Sequence, residues 1–222
     1  MEQKTAIVIG ASTGIGAATA EALAQQYKKI AITSFRHPEK LKEVQQKILA
    51  QGTDCYAETG DAGDFTFVKQ FIEHVTEHFG EKIDLLVNNA GISYVGLLTD
   101  MDETDWKRII DTNITSVFNT CRQVVPYMVH AHKGRIINIS SVWGNVGASC
   151  EVAYSATKGA VNAFTKALAK ELAPSGIAVN AIAFGAIDTT MNGHLSLEEK
   201  TALEEEIPFG RMATEKEAAD FI

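Results

Sequence analysis

The chain has 222 residues, of which 45% are apolar and 22% are charged; this is enough apolar material for one sizeable core in a single domain over 1–222. The net charge of −8 argues against a nucleic-acid-binding protein, which needs a basic face. No apolar run reaches membrane-spanning length and the N-terminal residues lack a signal-peptide pattern, so we expect a cytoplasmic protein.

Short β-branched segments alternate with longer segments of helical periodicity. Apolar strands without polar alternation are typical of parallel strands buried on both faces. The alternation predicts an α/β fold, a single-domain doubly wound parallel sheet of the Rossmann type. The predicted strands are 6–9, 30–33, 54–57, 85–87, 136–139 and 178–183. The predicted helices are 15–26, 39–51, 65–79, 105–132 (kinked at Pro126) and 153–172.

Two further features of the chain bear on its function. The segment 192–211 is polar and helix-prone and ends near Pro208 and Gly210, which predicts a lid or an excursion from the sheet. The three cysteines, Cys55, Cys121 and Cys150, have no metal-ligand spacing. We therefore expect reduced thiols and no metal site.

A glycine-rich turn follows the first predicted strand. Gly10, Gly14 and Gly16 stand in the spacing Gly-x3-Gly-x-Gly, and a helix begins inside the turn. Such glycines let the backbone approach a pyrophosphate, while the helix N-terminus offers free N–H groups. The turn predicts a dinucleotide site that includes Ser12, Thr13 and Ile15. A tight turn with no ligand is the alternative.

The end of the second predicted strand bears on the choice between NADPH and NADH. A carboxylate at this place would bind the ribose hydroxyls and repel a 2′-phosphate, but residues 33–37 contain no acid. Arg36 offers a charge-assisted partner for a phosphate, and Ser34 offers a hydroxyl. We therefore predict NADPH; an ordinary surface role for Arg36 is the alternative.

Polar side chains follow several predicted strands. Tyr154 and Lys158 lie four residues apart in a predicted helix and share one face. Ser141 comes just after the strand 136–139, and Asn113 lies in the long helical stretch. Because parallel strands place their carboxyl ends at one edge, we expect these groups to converge there with the Asn-Asn-Ala-Gly segment 88–91.

Together these motifs resemble the short-chain dehydrogenase/reductase family over essentially the whole chain. The resemblance implies a carbonyl reductase in which Tyr154 is the proton donor, with its pKa lowered by Lys158. It implies that Lys158 also holds the nicotinamide ribose, that Ser141 donates to the substrate oxygen and that Asn113 anchors a water. It further implies the cofactor contacts Asp61, Ala62, Asn89, Ala90, Gly91, Gly185, Ile187 and Thr189.

The chain departs from the family pattern at two positions beside the expected cofactor site. Ile9 stands where a threonine often precedes the first glycine, which removes a hydroxyl that ties the turn to its neighbours. Phe184 stands where proline is usual, which reshapes the nicotinamide pocket.

The substrate is left open by the sequence. The chain looks most like 3-oxoacyl-[acyl-carrier-protein] reductases, yet its charge would repel an acidic carrier. The segment 147–154 resembles a subgroup that reduces the 5-aminopentanone modification on elongation factor P. There Glu151 would face a cationic amine, with Ser93 and Trp143 as further substrate contacts; a solvent-facing glutamate is the alternative.

The resemblance also raises an expectation about the C-terminal end. Family members continue with a helix, a last strand and a glycine-rich tail, so we expect this sheet to lack that strand. The same region forms a subunit interface in the family, where a homotetramer is usual, and we expect a homo-oligomer if the shorter end permits one. An NADPH-binding protein with little turnover is the alternative of another class.

Overall fold

The structure is a computed structural model that describes residues 3–193 and 195–222. Its strands are β1 (Thr5–Ile9), β2 (Lys29–Ser34), β3 (Asp54–Thr59), β4 (Leu85–Asn88), β5 (Gly134–Ser141), β6 (Ile177–Phe184), β7 (Ile187–Asp188) and β8 (Ala213–Thr214). Its α-helices are α1 (Gly14–Leu23), α2 (Pro38–Ala50), α3 (Phe65–Phe79), α4 (Glu103–Ile110), α5 (Ser116–Ala131), α6 (Trp143–Val146), α7 (Val152–Leu172), α8 (Leu197–Glu206) and α9 (Glu215–Phe221).

The main sheet confirms the predicted doubly wound α/β fold. Within residues 3–193 and 195–222, six parallel strands pair in the order β3-β2-β1-β4-β5-β6, and β7 pairs with β8 apart from them. The order reverses between β1 and β4, so a crevice opens at the carboxyl ends of these strands. In that described part of the chain β6 is an edge strand that pairs only with β5.

Two apolar cores enclose the sheet. Ile7 and Ile9 of β1 face a core that contains residues of α3, α5 and α7, whereas Ala6 and Val8 face a core that contains residues of α1 and α2. Successive strand side chains point to opposite faces, so a strand covered on both sides must be apolar throughout. This is why β1 is an unbroken buried run.

A chain of buried amides and hydroxyls ties the centre of the sheet to the helices. Asn88 Nδ2 donates to Asn138 Oδ1 at 2.8 Å, and Asn138 Nδ2 donates to Thr165 Oγ1 at 2.8 Å. The hydroxyl of Thr120 donates to Asn88 Oδ1 at 2.7 Å. Each of these amides and hydroxyls has a hydrogen-bond partner, so their burial leaves none of them unpaired. The amides therefore fix β4 and β5 against α5 and α7.

The structure differs from the predicted elements at the long helix 105–132 and at two short strands. The single predicted helix 105–132 is α4 and α5 joined by a π-helical turn at Asp111–Thr115, and Pro126 lies inside α5. The strands β7 and β8 were not predicted, because two residues each carry no periodicity. The excursion predicted over 192–211 contains α8, and His194 lies outside the described residues. No helix in the described ranges has the length and apolarity to cross a membrane.

Candidate active site

A cleft of about 890 Å³ opens at the carboxyl ends of the strands. It brings together most of the predicted residues: Gly10, Ser12, Thr13, Gly14, Ile15, Ser34, Arg36, Asp61, Asn89, Ala90, Gly91, Ser93, Ser141, Trp143, Glu151, Tyr154, Lys158, Gly185, Ile187 and Thr189. Three predicted residues do not line it, namely Gly16, Ala62 and Asn113, and each has a different position and role.

The glycine turn is held by backbone bonds. The N–H groups of Gly10 and Ala11 donate to the carbonyl of Thr33 on β2 at 2.8 and 3.0 Å, and Asn89 Nδ2 donates to the Gly10 carbonyl at 2.7 Å. These bonds fasten the turn although Ile9 provides no hydroxyl. Gly10 has φ +81° and Gly14 has φ +63°, values that favour glycine.

Gly16, which was predicted as a cofactor contact, does not line the cleft and is closely packed. A Cβ at Gly16 would lie 2.0 Å from the Gly10 carbonyl oxygen and 2.4 Å from Asn89 Nδ2. The missing side chain therefore lets α1 approach the turn. Thr13, at the N-cap of α1, forms no side-chain capping bond, and the first turn of α1 contains no acid. The N–H groups in the first turn of α1 and the positive end of its dipole thus remain available to an anion.

The far end of the cleft is formed by residues after β2 and β3. The Ser34 hydroxyl donates to the Arg36 carbonyl at 2.7 Å, and Asp61 Oδ1 accepts from the Gly63 N–H at 2.8 Å. Ala62 is buried and lines a small chamber of about 40 Å³, which it shares with Asp61, rather than the cleft itself.

Sequence analysis missed Phe35 and His37, which also line this end of the cleft. Phe35 is 60% exposed, and His37 adopts φ +60°, which is uncommon outside glycine. An exposed aromatic residue beside a predicted phosphate contact was the available signal for Phe35. His37 adopts this left-handed backbone at the N-cap of α2, just before Pro38. The hydrophobic pattern of the sequence does not indicate it.

Tyr154 and Lys158 are one turn apart on α7 and line the cleft together. Lys158 Nζ donates to the Ile139 carbonyl at 2.9 Å and lies 5.6 Å from the centroid of the Tyr154 ring. Burial lowers the pKa of the Lys158 amine to about 8, since an ammonium that loses water loses much of its solvation.

The protein surroundings of Tyr154 raise its pKa. Burial of the phenol is the largest cause, the hydrogen bond with Ser141 opposes it, and the negative charge of Glu151 adds to it. Desolvation of the phenolate outweighs the hydrogen bond with Ser141, and the Lys158 amine donates to the Ile139 carbonyl. Within the protein itself, Tyr154 is therefore held in its protonated form.

Asn113 lies behind the cleft wall, in the π-helical turn, and is 1% exposed. Its Oδ1 accepts from the Ile92 N–H at 2.8 Å, and its Nδ2 donates to the Ile92 carbonyl at 2.9 Å and to Thr157 Oγ1 at 3.1 Å. A Cβ at Gly91 would lie 3.4 Å from Lys158 Nζ and 3.6 Å from Asn113 Oδ1. Asn113 thus fixes the loop after β4 against α7, close to the buried amine.

The predicted substrate contacts meet on one wall of the cleft. The Ser93 hydroxyl donates to Glu151 Oε2 at 3.0 Å, and Trp143 is 37% exposed. Leu195 and Leu203 also line the cleft, the latter on α8. Lys200 of α8 pairs with Asp188 of β7 at 3.0 Å, and this pair anchors α8 beside the cleft.

Phe184 lines the cleft next to these residues. Its carbonyl accepts from the Val142 N–H at 2.9 Å, and its ring packs edge-on against Phe221 of α9 with centroids 6.5 Å apart. Phe184 therefore adds an aromatic side chain to the cleft wall, and α9 supports it.

A doubly wound sheet whose open glycine turn shares one cleft with a tyrosine, a lysine and a serine defines a dinucleotide-dependent oxidoreductase. The family model for short chain dehydrogenases matches residues 4–200, and the chain belongs to this family of oxidoreductases.

Similar proteins support this assignment. The chain is 40% identical over 219 residues to the 3-oxoacyl-[acyl-carrier-protein] reductase FabG of Staphylococcus aureus (strain Mu50), covering 99% of this chain and 89% of that protein. It is 39% identical to the uncharacterized oxidoreductase YmfI of Bacillus subtilis (strain 168), covering 98% and 88%. A variant of actinorhodin polyketide ketoreductase with NADPH superposes with a TM-score of 0.92 at 31% identity, covering 99% and 88%.

Proposed function

We propose that this chain is an NADPH-dependent ketoreductase that converts a 3-oxoacyl thioester, or a similar ketone, to the alcohol. The observation that carries the proposal is the cleft in which Tyr154 and Ser141 are hydrogen-bonded beside an open glycine turn. Similarity to a FabG reductase and to a ketoreductase with NADPH supports it.

The residues present fit a dinucleotide phosphate. Gly10 and Gly14 leave room at the turn and the N-terminus of α1 is uncapped, so backbone N–H groups can hold a diphosphate. Arg36 and Ser34 stand where a carboxylate would reject a 2′-phosphate, which favours NADPH over NADH. When bound, the cofactor supplies the hydride that reaches the carbonyl carbon.

The residues of the chain manage the proton and the oxygen. Tyr154 donates its phenolic proton to the oxygen that becomes negative, and its raised pKa keeps that proton in place until it is needed. Ser141, already bonded to Tyr154, donates to the same oxygen. Lys158, with a pKa of about 8, exchanges protons near neutral pH and returns one toward the phenolate.

Asn113 is proposed as a positioning residue, because it bonds the Ile92 backbone and Thr157 and does not line the cleft. Asp61 would reach the base of the cofactor from the cleft wall, and Ala62 would support it from below. Gly185, Ile187 and Thr189 would contact the nicotinamide half.

Oxidation of NADPH in the presence of an acetoacetyl thioester tests the proposal, with product identity read by mass spectrometry. We expect turnover by the wild type and a loss of about 10³-fold or more in Tyr154→Phe. Tyr127→Phe, a matched change on α5 away from the cleft, should keep full activity. Binding of NADPH without turnover of any ketone would contradict the proposal and favour a cofactor-binding protein with little activity.

A second candidate substrate is the 5-aminopentanone modification on elongation factor P. Glu151 favours it, because its carboxylate lies on the substrate wall, bonded to Ser93 at 3.0 Å, where a cationic amine would find a charge partner. Rates on the modified factor and on an acyl-carrier thioester should be measured side by side. Glu151→Gln should slow the aminoketone reaction selectively; equal effects on both substrates would remove the pairing.

We also propose that the chain assembles as a homo-oligomer, as in the homotetramers of its family. Size-exclusion chromatography with light scattering measures this directly. A monomer that turns over NADPH at full rate would show that assembly is not needed for the site.

A further inference from the structure

The carboxylate of Glu215 lies close to Gly14 of the glycine turn. A Cβ at Gly14 would lie 3.9 Å from Glu215 Oε1 and 3.8 Å from Thr189 Cγ2. Glu215 is the first residue of α9, which packs against α1. Gly14 and Thr189 line the cleft, so the Glu215 side chain is next to the place where a diphosphate would bind.

The two charged side chains that act on Glu215 are both acidic. Asp188 of β7 and Glu21 of α1 face it, but each is balanced: Lys200 pairs with Asp188 at 3.0 Å, and Lys47 pairs with Glu21 at 2.9 Å. Among residues 3–193 and 195–222, Glu215 has no ion-pair partner of its own.

The cations and acids of α9 itself are also engaged elsewhere. Lys216 pairs with Asp220, and Glu217 pairs with Arg211 at 2.7 Å. The cap of α9 is built by Thr214 and Glu217 without Glu215. Glu215 therefore takes no part in the capping bonds of its own helix, and no cation among the described residues pairs with it.

We propose that Glu215 couples cofactor binding to proton uptake: its carboxylate is ionised in the free protein and takes up a proton when a diphosphate occupies the turn. The inference rests on the proposed function. Two like charges at close range disfavour the ionised form of both, and the carboxylate can relieve the repulsion by protonation. The pKa of Glu215 is already raised by burial, and then by Asp188 and Glu21, so a further rise moves it toward working pH.

The consequence is a cofactor affinity that depends on pH. As pH rises through the range in which Glu215 ionises, the penalty of a carboxylate beside phosphate appears and the affinity falls. Glu215 would then weaken the hold on cofactor at higher pH and speed its release. Glu215→Gln keeps the shape of the side chain and removes the charge, so it should bind more tightly in this range.

Calorimetric titration of NAD⁺ and NADP⁺ into the whole protein tests this, in two buffers of different ionisation enthalpy at one pH. NAD⁺ lacks the 2′-phosphate, which itself titrates with a pKa of about 6, so its proton uptake reports the protein alone. We expect the wild type to take up a fraction of a proton. Glu215→Gln should take up fewer protons than the wild type and bind about three- to tenfold more tightly at high pH, with equal affinity at low pH.

Glu77→Gln, an exposed change on α3 away from the cleft, is the matched control and should behave as the wild type. Equal proton uptake by the wild type and Glu215→Gln would overturn the inference and leave the proposed function standing. Failure of the wild type to bind either dinucleotide would overturn both.

Discussion

Replacement of Lys158 by methionine should abolish activity and leave the protein at least as stable. Lys158 is 4% exposed. Among the residues that the structure describes, the one hydrogen-bond acceptor of its amine is the Ile139 carbonyl at 2.9 Å. Burial lowers its pKa from 10.5 to about 8, which corresponds to a penalty of roughly 3 kcal/mol for the folded protein near neutral pH. Methionine removes that penalty and fills a similar volume.

The loss of the hydrogen bond offsets part of the gain. A hydrogen bond from a charged group contributes about 1.5–3 kcal/mol, so Lys158→Met should match the wild type in stability or exceed it by up to about 1.5 kcal/mol at neutral pH. Activity should fall by about 10³-fold or more, because the amine that relays protons to Tyr154 is gone.

The pH dependence of this difference identifies its cause. The folded pKa of Lys158 is below its unfolded value, so the unfolded chain binds the extra proton between about pH 8 and 10.5. The wild type therefore gains stability across this window, and the advantage of Lys158→Met should shrink. Other titrating groups are common to both proteins and cancel.

Urea denaturation of both proteins without cofactor, followed by circular dichroism at about pH 7 and pH 10, measures the two differences. A variant that is less stable than the wild type at neutral pH, by a margin that does not change with pH, would refute the reasoning that Lys158 is a strongly desolvated amine.

Three further predictions follow from the site. Ser141→Ala should lower kcat by about 10²–10³-fold; because the Ser141 bond lowers the pKa of Tyr154, the alkaline limb of the kcat/KM profile should move to higher pH, and an unmoved limb would argue against that bond. Gly16→Ala should destabilise the protein by about 2 kcal/mol or more in thermal denaturation, since its Cβ would lie 2.0 Å from the Gly10 carbonyl oxygen; an unchanged Tm would contradict the packing. Arg36→Ala should weaken NADPH binding by about tenfold or more while NADH binding changes little, and equal losses for both cofactors would show that Arg36 does not read the phosphate.

The sequence predicted the main sheet because buried parallel strands are apolar on both faces. β1 is the clearest example, as Ala6 and Val8 serve one core and Ile7 and Ile9 the other. The convergence of Tyr154, Lys158 and Ser141 was also predictable, since all three follow from strand ends and helical spacing. These features depend on local pattern and on the geometry of parallel sheets.

Features that depend on tertiary contacts could not be predicted. Asn113 lies in a π-helical turn whose bonds to Ile92 and Thr157 exist only once α7 is in place. The raised pKa of Tyr154 reflects burial, which outweighs the hydrogen bond with Ser141. Glu215 reaches the glycine turn through the packing of α9 on α1.

In the proposed reaction, NADPH bound in the cleft transfers a hydride to the ketone carbon, and Tyr154 protonates the oxygen. The most direct measurement uses NADPH carrying deuterium at the transferable position, a 3-oxoacyl thioester, and mass spectrometry of the product. We expect a deuterium-labelled alcohol, with the label on its carbinol carbon, from the wild type and almost no alcohol from Tyr154→Phe. An alcohol without deuterium, or equal amounts of labelled alcohol from both proteins, would contradict this mechanism.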